Sequence, residues 1–157
     1  IVVPWISGKR AMTGSGAGRQ TSSIGAVKNP VNESACPLRA VALVSAVYDL
    51  ALGIPLLVAA PALGRMMGAG TPQPLINAQL NGLFTLTLAL GYFWAAGDIE
   101  ARRGYMWIAG VFAKAVGSLL FVIDHFTRPS PDTFLLFALT DGTLALITLV
   151  VLLRRNG

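Results

Sequence analysis

The run LINAQLNGLFTLTLALGYFWAAG, from Leu75 to Gly97, holds 23 residues without one formal charge. Spanning the hydrocarbon core of a bilayer takes roughly 20 apolar residues, so this run constrains the fold more than any other feature. Three further runs are each broken by a single charge. Ala40 to Ala60 contains only Asp49, Gly104 to Ile123 only Lys114, and Thr133 to Leu153 only Asp141. Backbone inside lipid must satisfy its own hydrogen bonds, and the period-two alternation of a transmembrane strand is absent. The chain is therefore expected to be all-α, an integral membrane four-helix bundle. The helices are expected over residues 40–60, 75–97, 104–124 and 133–153.

Composition agrees. Only 12% of the residues are charged and 54% are hydrophobic, whereas a soluble domain carries about 25% charged residues. The connections 61–74, 98–103 and 124–132 are short, which makes successive helices antiparallel neighbours. They leave no extramembrane domain to hold a soluble active site. No nucleophile–base set, metal-ligand spacing or phosphate loop appears, and GSGAG (14–18) follows no strand. The chain is read as non-catalytic.

A net charge of +5 raises the question of nucleic acid. The distribution answers it. Lys28, Arg39, Arg102, Arg103, Arg154 and Arg155 fall near helix ends on one side, with Lys9, Arg10 and Arg19 further out, while only Arg65 and Arg128 fall on the other. By the positive-inside rule both termini are expected in the cytoplasm, in a bacterial cytoplasmic membrane. The basic excess reads as topology and attraction to anionic membrane lipids, with no nucleic-acid partner.

Residues 1–37 differ in kind. MTGSGAGRQTSSIGAVKNP is rich in Gly, Ser and Thr and has no apolar periodicity, so it buries too little to order itself. This N-terminal tail is expected to contact other membrane protein subunits. The lone Cys36 rules out an intramolecular disulfide and reads as a juxtamembrane thiol; the sequon NES (32–34) would stay unused in the cytoplasm.

The three buried charges decide the functional reading. At about 1.5 Å per residue, Lys114 and Asp49 lie about 15 Å from the basic ends of their helices and Asp141 about 19 Å. All three approach the midplane, where a lysine costs about 2.5–3.5 kcal/mol on insertion scales and normally finds a partner. Helical spacing places each on a small or polar stripe. These stripes are Ser45, Asp49 and Gly53; Asn77, Asn81 and Thr85; Gly110, Lys114 and Ser118; and Ala138, Asp141, Ala145 and Thr148. Small residues permit close helix approach and polar ones bond across it, so the stripes are expected to face inward. The expected buried network is Asp49, Lys114, Asp141, Asn81 and Ser45. It reads either as a proton or ion relay or as a structural network that sets helix register.

Pro55 predicts a kink in the first helix. Asp49 aligns with Lys114, and NGLFTLTL (81–88) with DGTLALIT (141–148), as a faint parallel repeat about the membrane normal. GYFWAAGDIEARRGYMW (91–107) reads as an aromatic belt around a cytoplasmic hairpin, with Asp98 and Glu100 set to pair with Arg102 and Arg103. The single histidine, His125, sits beside Asp124 in IDHFTRPSPD. It suits one pigment ligand, a proton-accepting pair with Asp124, or a solvated loop.

YDLALGIPLL, LNGLFTLTLALGYFWAAGDIEARRGYMW and FALTDGTLALI resemble small four-helix bacterial membrane proteins of the DoxX-like kind, over residues 40–153. The resemblance implies accessory subunits of quinone-linked oxidoreductases. It implicates Asp49, Asp141 and the Arg103-Gly104 turn, and has no counterpart for the tail.

The leading expectation is an accessory subunit of a larger energy-converting membrane complex, respiratory or photosynthetic. The rivals are a small ion- or proton-coupled carrier using the Asp-Lys-Asp network, and a quinone-interacting subunit. The cofactor is open; lipid, quinone or pigment at the helix surface are the candidates.

Overall fold

A computed structural model describes residues 35–154 of the chain. The expectations placed on Lys9, Arg10, Arg19, Lys28, the sequon and Arg155 lie outside the described residues, as does the side chain of Cys36. The described residues are helical, with no strand among them. The helices are α1 (Ala35–Val58), α2 (Ala60–Met66), α3 (Leu75–Gly97), α4 (Arg103–Thr127) and α5 (Phe134–Arg154). Four of them, all but α2, are long and apolar enough to cross a membrane. Large apolar side chains such as Val44, Val47, Phe84, Leu90, Ile108, Phe112, Leu119 and Leu139 stand exposed along all four. Water would not tolerate so continuous an apolar surface, whereas lipid is its natural solvent. The protein is a multi-pass membrane helical bundle.

Four residues beyond Pro55 the helix breaks. Helical structure runs through Pro55, whose carbonyl accepts the Ala59 amide at 2.8 Å. The chain turns at Ala59, because Pro61 has no N–H for the next helical bond, and α2 begins with that proline in its first turn. The Met67 carbonyl that follows α2 accepts the Thr133 hydroxyl at 2.6 Å. That bond straps the α1–α3 end to the start of α5.

The helices pair as two hairpins, α1 with α3 and α4 with α5. The first pair closes on Gly53 and Gly82, where a Cβ on Gly82 would fall 2.6 Å from the Leu57 nitrogen and 2.9 Å from the Gly53 carbonyl oxygen. The second closes on Ser118 and Gly142, where an added Cβ would meet Ser118 Oγ at 2.9 Å. Ser118 follows Lys114 by the same step as Gly53 follows Asp49, and both second helices carry an Asx-Gly pair at the contact. The two hairpins therefore use equivalent positions.

The match extends into α4 with one interruption. Ala42, Ser45 and Ala46 are buried on α1, and Met106, Ala109 and Gly110 at the same spacing on α4. Asp49 then follows Ala46 by three residues, whereas Lys114 follows Gly110 by four. The extra residue lies inside a π-helical stretch, Met106–Ala113. A π turn absorbs one inserted residue while keeping the faces on either side in register. Here it delivers Lys114 to the position that Asp49 occupies in the other hairpin.

Packing divides the bundle into a solid end and a hollow one. On the side of Arg103, the residues Leu38, Ala42, Ala46, Tyr92, Ala95, Met106, Ala109 and Leu152 form a continuous buried core. Tyr92 and Tyr105 meet edge to face at 5.3 Å, and the Tyr105 hydroxyl donates to the Leu88 carbonyl at 2.8 Å. Arg103 Nη2 donates to the Leu152 carbonyl at 3.0 Å, a cation at a helix C-terminus. Beyond the three buried charges each hairpin stays packed, but the second half of α4 stands apart from the first hairpin. Among the described residues, no Cα of Lys114–Thr127 comes within 8 Å of a Cα of α3.

Candidate functional site

Lys114 is the hub. Its Nζ donates to Asp49 Oδ1 at 2.9 Å and to Asp141 Oδ1 at 3.0 Å. The Lys114 and Asp49 side chains are 5% and 4% exposed and that of Asp141 is 18% exposed. Three helices therefore meet through one ammonium group. The ring faces of Tyr48 and Tyr92 lie 4.9 and 5.8 Å from Nζ and add cation–π attraction. With all three groups ionised, two carboxylates face one ammonium and one negative charge is left uncompensated. The geometry locates where it is felt. Asp49 Oδ2 is buried and accepts no hydrogen bond. A buried acceptor without a donor costs about 1–3 kcal/mol, more for a charged group. With both carboxylates ionised, neutrality of the cluster takes one further proton or cation.

A cavity of about 960 Å³ opens onto these charges from the hollow end. Tyr48, Asp49, Lys114 and Asp141 line one end; Leu52, Leu56, Phe84, Leu120, Phe121 and Phe137 supply apolar wall; Gln73, Asn77, Thr127 and Arg128 stand towards the loops. Phe121, Phe134 and Phe137 form a ring cluster with centroids 5.6 to 6.2 Å apart between α4 and α5. The cavity is charged at one end, and along its length apolar walls from α1, α4 and α5 face the polar stripe of α3.

The other expected site residues fall elsewhere. Asn81 is exposed on the cavity wall and its carbonyl, at 2.8 Å, takes the Thr85 hydroxyl, so the polar stripe of α3 lines open space instead of packing. The reason is angular. Gly82 must face α1 for the hairpin to close, and its neighbour is turned about 100° away. Ser45 is fully buried, but in the solid end, beside Tyr92. Ser118, on the Lys114 stripe, donates to the Ala138 carbonyl at 2.6 Å.

The His125–Asp124 pair does not form. Asp124 accepts from Arg128 at 2.9 Å and also takes the Ser130 hydroxyl. His125 Nδ1 lies 3.9 Å from Asp132 Oδ1, too far for a hydrogen bond. Adjacent helical residues diverge, whereas positions four apart meet, which favours Asp124 with Arg128. At the other rim, Asp98 accepts the Ala101 amide at 3.2 Å, and Arg102 lies 4.3 Å over the Trp94 ring and donates to the Trp94 carbonyl.

Residue-type reasoning missed Tyr48 and read Tyr92 only as part of a belt. Tyr48 adjoins Asp49, and Tyr92 follows Thr85 by two helical turns on the same face. The π stretch had no signal except the repeat, in which one extra residue precedes Lys114.

No protein-family model, no curated protein and no solved structure matches the chain. The DoxX-like likeness therefore rests on the quoted residues alone.

Proposed function

We propose that the chain is a small ion- or proton-coupled carrier whose working element is the Asp49–Lys114–Asp141 network. The observation that carries this reading is the buried, unpartnered Asp49 Oδ2 beside a cavity that reaches all three charged side chains. A network meant only to fix register would be satisfied internally and packed over, because buried polar groups are stabilising only when paired. Here two carboxylates share one ammonium, and the cavity reaches all three side chains. Binding a proton or cation there removes both the excess charge and the orphaned acceptor. With the termini in the cytoplasm of a bacterium, the cavity faces the outer side of the cytoplasmic membrane, and the solid end closes the inner side.

The accessory-subunit expectation rests on the tail, most of which lies outside the described residues, and on short loops that suit a carrier equally. The quinone-linked expectation rests on the DoxX-like likeness alone.

The test is flux. The full chain reconstituted into vesicles with an internal pH-sensitive dye is expected to pass protons, or to couple them to an added cation, under an imposed potential. Asp49→Asn is expected to abolish the signal. Wild-type vesicles no leakier than empty ones, under every cation gradient tried, would contradict the proposal.

A further inference from the structure

We infer that the cavity takes a lipophilic organic cation, a protonated amine on an apolar body, which enters from the bilayer through the gap between α3 and α4. The inference rests on the carrier reading and names its substrate class.

Four observations converge on it. With both carboxylates ionised the site carries one excess negative charge, and Asp49 and Asp141 both line the cavity. An ammonium N–H supplies charge and donor together. Tyr48, Phe84, Phe121, Phe134 and Phe137 stand among the wall residues, and aromatic faces attract organic cations. The volume of about 960 Å³ suits an organic molecule, since sites for drug-sized ligands run from about 300 to 1,000 Å³. The fourth observation is the route. Lys114–Thr127 and α3 stand apart, and the residues on the two sides of that gap include Phe84 at 62% and Leu120 at 60% exposure. An alkyl chain can lie in the gap with its head at the carboxylate pair, reached through Asp141, the more exposed of the two at 18%, and its tail among the lipids.

The remaining charge near the cavity does not compete. Arg128 is held by Asp124, so the loop end is close to neutral and the net negative charge stays with the buried site.

The experiment is equilibrium binding of radiolabelled dodecylamine to the full chain in phosphatidylcholine nanodiscs, corrected for protein-free discs. Dodecanol and dodecanoate serve as neutral and anionic competitors of the same length. The expected result is saturable binding of the amine, displaced by neither competitor. It should weaken at least about tenfold in Asp49→Asn, as loss of one charged hydrogen-bond partner implies. Asp141→Asn removes the same excess charge from the other carboxylate and should weaken it similarly, so one misfolded variant does not decide the matter. Asp132→Asn, at an exposed position, should change nothing. Non-saturable uptake, equal displacement by dodecanol, or full binding in both neutralised variants would overturn the inference. Vesicle flux that depends on Asp49 without amine binding keeps the carrier and removes the amine. Loss of both removes both.

Discussion

At the scale of single residues, the sign of each buried charge determines what its removal does. Lys114→Met leaves Asp49 and Asp141 facing each other without a cation. Breaking a buried pair in this way costs about 3–5 kcal/mol, so this variant should unfold at much lower denaturant or temperature than wild type in a detergent melt. Asp49→Asn leaves a neutral Lys114–Asp141 pair at 3.0 Å and should melt close to wild type. A melt in which both substitutions cost the same would contradict the charge account. The ion pair was legible because depth and helical stripe can be counted from the sequence. Asn81 misled because a stripe says which residues share a face, not which of two adjacent faces the neighbouring helix occupies.

At the scale of elements, glycine and the π stretch set the geometry. Gly82→Ala would put a Cβ 2.6 Å from the Leu57 nitrogen, a backbone atom that cannot yield without opening α1 from α3. Overpacking of this kind costs about 1–3 kcal/mol, and the melt should show it. Gly104→Ala has nothing within 4 Å and should be neutral or slightly stabilising. The π stretch makes a sharper prediction. Phe112 is exposed and lies within it, so deleting Phe112 should restore an ordinary α-helix with Lys114 still aimed at Asp49. Deleting Leu119, in the regular part of α4, should rotate everything beyond it and abolish folding. Recovery on gel filtration separates the two outcomes. Helix ends were legible to within a few residues except at Ala59, where Pro61 and not Pro55 decides the break. The π stretch was not legible, since hydrogen-bond spacing inside a helix leaves little trace in composition.

At the scale of the whole molecule, four spanning helices were visible in their uncharged runs, but the division into a solid end and a hollow end was not. Close packing has a signature in alanine and glycine at helical spacing, as at Ala42, Ala46, Ala95 and Ala109. A gap has none, because the apolar residues that line it look like those that face lipid. The central claim is that the buried charges communicate with one side only. Its most direct test is thiol accessibility in a Cys36→Ser background, with single cysteines at Asn81 on the cavity wall and Ala46 in the solid core. A membrane-impermeant cationic thiol reagent should label Asn81→Cys from the side opposite Arg103 and leave Ala46→Cys untouched from both. Adding Asp49→Asn should slow the cationic reagent and not a neutral one. Labelling of Asn81→Cys from the Arg103 side, or equal labelling of Ala46→Cys, would contradict the account.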